Sequence, residues 1–275
     1  MKIFQYIFIY STLLFSLHSQ PINAITRESG SGTRSAFIDI FDIKSINNQG
    51  KKIDAIDPKI QITNSAAIII LTTMQNPNAI GYISLASLNP KIKALKIDDI
   101  YPSIENIKNK SYPITRPFNL VFKSHQNEAL KDFLCFLKSK EASKIIDKKG
   151  YVSLSHQNYI KRNIQGKLTI SGSSSISPLM QSLIEAYQHL NPQIKILLQQ
   201  NDSTIGLNNL QKNLSDLAMV SRNIKPNEID SSYEVFLLAQ DAIIMIVNPK
   251  NPIQNLSKDK VKSIYLGQIN TWDFQ

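Results

Sequence analysis

The stretch TRESGSGTRSAF, residues 26–37, sets three hydroxyls, Ser29, Ser31 and Thr33, on a glycine-rich loop that runs into a helix. Glycines 30 and 32 let that backbone approach a ligand closely. The first N–H groups of a helix lack internal partners and carry partial positive charge, so an oxyanion is a natural guest. Arg27 and Arg34 flank the loop and can add charge-assisted bonds. For one such loop alone, a flexible turn with a capping serine is an equal explanation.

The arrangement recurs. SGSSSISP (171–178) is again a glycine- and serine-rich loop between a strand and a helix, and NDSTIG (201–206) follows a strand and opens another helix. VSRN (220–223) closes a strand with a serine and an arginine. Such loops, each at the C-terminal end of a strand, line the edge of an open α/β sheet where ligands bind.

Other chemistries lack their residues. Serine hydrolysis needs a histidine base, but His18 lies in an apolar leader and His125, His156 and His189 sit in polar contexts. There is no G-x-S-x-G elbow, no paired-histidine metal spacing and no G-x-x-x-x-G-K-[ST] loop. The expectation is therefore a protein that is not an enzyme, with no metal and no cofactor.

The chain has 275 residues, 42 % of them hydrophobic, enough for a large core or two lobes. Its formal charge is +10, but the lysines and arginines are scattered, with only short groups such as Lys148-Lys149 and Lys161-Arg162. Nucleic acid wants a basic face, so it is not expected as a ligand. A generally positive surface favours small anions by steering.

Phe4 to Leu17 is mostly apolar. The run is too short to span a membrane, which takes about 20 residues. It suits a secretory signal peptide over residues 1–24, with cleavage after Ala24 or, less well, near Ser19. The single cysteine, Cys135, lies far from it, so no lipid-anchoring cysteine follows the leader. Flanked by Phe133, Leu134, Phe136 and Leu137, Cys135 reads as core.

Elements must position these loops. Helical spacing of Phe37, Ile40 and Phe41 continues the opening loop into a helix. Residues 65–74 fit either a helix capped by Ser65 or a strand, while 79–86 and 116–122 read as buried strands. Residues 127–149 read as one long helix, with Gly150 as its left-handed stop. Residues 153–166 are polar and aperiodic, a linker. Beyond it, KLTIS reads as a strand, a helix starts at Pro178, and IKILLQ, SDLAMVS and AIIMIVN read as strands. Strands alternating with helices predict an α/β fold with largely parallel sheets.

Taken together, LTISGSSSISPLMQSLIEAYQHLNPQIKI, SDLAMVSRNI, the run from Asp241 to Phe274, TRESGSGTRSAF, NAIGYISLASL and YPITRPFNLVF resemble the phosphate-binding proteins of bacterial ABC phosphate uptake systems. The resemblance covers nearly everything after the leader. It implies a two-lobed periplasmic binding protein-like fold of type II, with the anion held in a cleft between the lobes. Carried over by position, the ligand shell is Ser174 and Ser175, Ser203, and Ser221, closed from the other lobe by Arg27, Ser31, Gly32 and Thr33. Two positions depart from the pattern. Asp202 replaces a usual glycine, which predicts crowding of the loop and repulsion of an anion. Ser221 stands where some members carry an aspartate.

The blocks are also in the wrong order for the family, as in a circular permutation or a window cut from two tandem copies. The resemblance then implies lobe II from 25–114 plus 248–275, and lobe I from 115–247. The expected function is a secreted, periplasmic or otherwise extracytoplasmic protein that captures inorganic phosphate for the permease subunits of an ABC transporter, touching the membrane only through them. A binder of sulfate or molybdate, or a degenerate non-binding remnant, is the alternative.

Overall fold

The computed structural model describes residues 20–155 and 157–272; the expected leader up to Ser19, together with His156, lies outside them. The chain begins with β1 (Gln20–Pro21), β2 (Asn23–Arg27), α1 (Gly32–Phe41), the hairpin β3 (Lys44–Ile46) and β4 (Lys52–Asp54), β5 (Gln61–Thr63), α2 (Ala66–Gln75) and β6 (Ala79–Ser84). It continues through β7 (Lys93–Ala94), β8 (Lys96–Ile97), α3 (Ile104–Lys108), β9 (Thr115–Lys123), α4 (Glu128–Leu137), α5 (Lys140–Lys148) and β10 (Val152–Ser153). It ends with β11 (Gly166–Ser173), α6 (Ser177–Leu190), β12 (Ile194–Asn201), α7 (Ser203–Gln211), β13 (Leu217–Val220), β14 (Tyr233–Val247), β15 (Asn255–Leu256), α8 (Lys258–Tyr265) and β16 (Thr271–Trp272).

The fold is α/β and two-lobed. The main sheet runs β12-β11-β13-β9-β14-β6-β2-β5. At one end β11 lies between parallel β12 and β13, and at the other β2 lies between parallel β5 and β6. In each trio the first strand in sequence is central and its successors cross to opposite sides. The loop leaving that central strand opens at the switch point, where helices on the two faces diverge. Antiparallel β9 and β14 join the trios.

The two largest apolar cores meet on those joining strands. One takes Phe118, Leu120 and Phe122 of β9 and Leu238 and Ala239 of β14. The other takes Ile114 ahead of β9 and Ala242, Ile243, Met245 and Val247 of β14. The crossing on β14 thus falls between Ala239 and Ala242, upstream of the boundary expected after residue 247.

Residues 20–24, placed in the leader by the small-residue rule, form β1 and the start of β2. Gln20 and Pro21 pair with Trp272 and Thr271, and Asn23 and Ala24 pair with Ala79 and Ile80.

Several elements match the sequence pattern. The isoleucine-rich 65–74 resolves as helix α2, because the Ser65 side chain accepts from Ala67 N and so starts a helix. Every residue of β6 is buried. Gly150 is left-handed, with φ +86°.

Others need correction. The expected single helix over 127–149 is two, because buried Ser139 caps a fresh start by accepting from Ala142 N. Cys135 is exposed rather than core: its flanking apolar residues occupy the inward face of α4 and leave it pointing out. Helix α6 starts at Ser177, one residue before the expected Pro178, and its N-cap, Ile176, makes no side-chain cap bond.

Candidate functional site

Arg27 ends β2, and Glu28–Ser31 turn into α1. The turn is held by Ser31 N donating to Glu28 O, while Ser31 Oγ caps the helix by accepting from Arg34 N at 3.3 Å. Capping engages that hydroxyl with its own helix. The Arg27 end of β2 is fixed by Tyr82, whose hydroxyl accepts from Arg27 N and pairs with Thr26 Oγ1 at 2.7 Å. Tyr82 stacks on Phe37 of α1 with centroids 4.0 Å apart. Burial raises the Tyr82 pKa, so it remains a neutral phenol.

The opposing loop leaves β11 at Ser173. Gly172 precedes it with φ +127°, and a Cβ there would lie 2.4 Å from Met219 O, so only glycine lets β13 approach. Ser173 Oγ bonds Ser221 Oγ at 2.8 Å and accepts from Ser175 N at 3.3 Å. Ser203 opens α7, and its Oγ accepts from Ser221 N at 3.2 Å. Ser203 and Ser221 are fully buried.

The two lobes meet at these loops. Arg27 Nη2 donates to Ser174 Oγ at 3.1 Å, and Thr33 Oγ1 lies 2.8 Å from Ser175 Oγ. Gly32 lies against the other pair: a Cβ there would sit 2.2 Å from Ser203 Oγ and 2.5 Å from Ser221 Oγ. Seven of the eight residues expected as the ligand shell are thus brought together across the cleft, and Ser31 precedes Gly32 in the same loop with its hydroxyl engaged in capping. Buried Arg27, 2 % exposed, also donates to both Glu28 carboxylate oxygens and to Asn64 O.

Two expected contributors act differently. Arg34 turns away, donating to Asp54 Oδ2 at 2.7 Å and Arg27 O at 2.7 Å, and so braces the loop from behind. Asp202 caps α7 by accepting from Ile205 N at 2.7 Å. Its carboxylate packs on Gly30, where a Cβ would lie 2.4 Å from Oδ2, so the crowding predicted for it is taken up by a residue with no side chain. Exposed Ser29 faces a recess shared with Lys44, Lys51, Lys52 and Lys225. Those lysines come from both lobes, but Asp39 and Asp54 line the same recess and Asp39 pairs with Lys44, so the charge of the recess is mixed.

Sequence reasoning missed Arg116, 2 % exposed, near the start of β9. It donates to Thr33 Oγ1 at 2.7 Å and, through Nε, to Asp241 Oδ2 at 2.9 Å. Asp241 also accepts from Ser84 at 2.7 Å. Burial raises the Asp241 carboxyl above the ordinary value, with Arg116 and Ser84 opposing. The TRPF run offered one signal, a charge at the head of a buried strand.

A PBP superfamily domain matches residues 9–141 and 158–274. The phosphate-binding protein PstS 2 of Streptococcus agalactiae is 38% identical over 253 residues, 91% of this chain and 86% of that protein. PstS 2 of Streptococcus pneumoniae is 35% identical, covering 93% of this chain and 88% of its own. The crystal structure of a phosphate-binding protein of a phosphate ABC transporter from S. pneumoniae superposes with a TM-score of 0.76, covering 92% of this chain and 98% of that one.

Proposed function

The chain belongs to the PBP superfamily, among its phosphate-binding proteins, and from that premise we propose that it captures inorganic phosphate outside the cytoplasm and delivers it to an ABC permease. No catalytic step is involved. One observation carries the reading: Arg27 and Thr33 reach Ser174 and Ser175 across the cleft, while Gly32 closes on Ser203 and Ser221. These groups are hydroxyls, helix N-termini and a buried guanidinium, which together offer donors to an oxyanion from two sides.

The lobes hinge where the cores change on β9 and β14, at 115–117 and 240–241. A leader in the first 19 residues would direct export, and among the described residues no helix is long and apolar enough to cross a membrane.

Calorimetric titration of folded protein with phosphate, sulfate and molybdate tests the reading. Binding of phosphate is the expected result, and heat from none of the three sinks it. Binding of sulfate or molybdate but not phosphate would select another oxyanion, an outcome to which Ser221, with no carboxylate to accept a phosphate proton, draws attention.

A further inference from the structure

We propose that Arg116 is a positioning residue of the anion site, fixing the direction of the Thr33 hydroxyl and holding it as a donor. The proposal rests on reading the cleft as an oxyanion site.

Its place in the fold is the first argument. Arg116 and Asp241 are register partners on β9 and β14, between the two apolar cores. Nε and Nη2 of Arg116 lie 2.9 and 2.8 Å from Asp241 Oδ2, which sets the plane of the guanidinium. Phe118 covers it, with its ring centroid 5.1 Å from the guanidinium carbon. The remaining nitrogen, Nη1, is thereby aimed at Thr33 Oγ1, 2.7 Å away, and lies 3.4 Å from Ser221 O at the end of β13. One nitrogen thus touches the loops of both lobes.

The second argument is the count of hydrogens. A guanidinium has no lone pair to offer, so Arg116 must donate and Thr33 must accept. Thr33 keeps a single hydrogen, which can only point away from Arg116. It goes to Ser175 Oγ, 2.8 Å distant, or to a ligand oxygen. A hydroxyl that accepts from a cation is also a stronger donor onward. Bracing the hinge would need Asp241 alone; the bond to Thr33 ties the brace to the site.

The test is a cycle read by calorimetric titration of the full chain with inorganic phosphate. Four proteins are compared: wild type, Thr33→Val, the neutral pair Arg116→Gln with Asp241→Asn, and all three changes together. The paired change avoids a buried carboxylate without its partner. If Arg116 acts through Thr33, each arm weakens binding by roughly tenfold or more. The triple variant then stays within about twofold of the weaker arm. Arg116→Lys, which can still donate to Thr33, recovers most of the affinity. Unchanged affinity in the folded pair variant overturns the proposal, and so do losses that multiply in the triple variant. A wild type that binds no oxyanion overturns the function and this role together, whereas multiplying losses on a binding wild type overturn this role alone. If the pair variant does not fold, Arg116→Met with Asp241→Asn, which likewise leaves no cation to donate to Thr33, takes its place in the cycle, read by the same two outcomes.

Discussion

Gly32 lies so close to Ser203 that a Cβ on it would sit 2.2 Å from Ser203 Oγ and 3.1 Å from Ser203 Cβ. Both contacts cross from lobe to lobe, so the clash belongs to closure and not to the folding of either lobe. Gly32→Ala should keep its thermal midpoint and lose phosphate affinity by tenfold or more, on the order of 1.4 kcal/mol. Titration and thermal denaturation on the same preparation check this; wild-type affinity in the variant would show that the lobes need not approach so closely.

Arg27 bears the charge that faces Ser174 across the cleft. Removing a charge-assisted bond from a desolvated site costs roughly 1.5–3 kcal/mol. Arg27→Ala should therefore weaken phosphate binding about tenfold or more, while Arg162→Ala, half-exposed beside Glu128 and Asp132, should leave it unchanged. Equal losses from both would mean that only overall positive charge matters.

Glu228 makes acid stability testable. Burial works against its charged form, but the Arg222 side chain and the Lys225 backbone N–H outweigh it and lower its pKa below 4.5. A lowered carboxyl contributes stability above its unfolded value and loses it as pH falls through the folded value. Below about pH 4.5 the wild type should therefore lose stability more steeply than Glu228→Gln. Denaturant midpoints measured between neutral and acid pH decide it, and parallel curves would remove Glu228 from the account.

The N-terminal boundary can be checked by mass. Asn23 and Ala24 provide the whole β2–β6 register. A chain beginning at Ile25 would keep only the pairing of β2 with edge strand β5, and would uncover the edge of β6. The mature protein should begin at or before Gln20 and be monomeric, and a version cut after Ala24 should associate or unfold. Mass spectrometry of the secreted protein with light scattering tests both; a stable monomer starting at Ile25 would refute it.

The loops of the site were legible because glycine and serine gathered between a strand pattern and a helix pattern have few other uses. That pattern marked the loops alone; the choice of Arg27, Thr33, Ser174 and Ser203 within them came from the resemblance to the phosphate-binding family. Arg116 and Asp241 could not be found, because TRPFNLVF and QDAIIMIV read as buried strands, and a strand pattern does not say that two charges will face each other. The break at Ser139 was hidden by its neighbours: in LKSKEAS a capping serine looks like any polar residue on a helix face. Cys135 misled for the opposite reason, since apolar residues on both sides in sequence do not make the same side of a helix.

The pairing of Gln20 and Pro21 with Trp272 and Thr271 is an antiparallel hairpin without its turn. Topologically the fold is thus a ring, and the position of the opening in it is separate from the physics that holds it together. Joining residue 275 to residue 20 would close the hairpin through a short loop of the length such turns favour. Opening the ring instead between exposed Arg162 and Asn163 would cut neither core. A chain opened there and joined at the other end would have the same sheet and the same cleft to fold into.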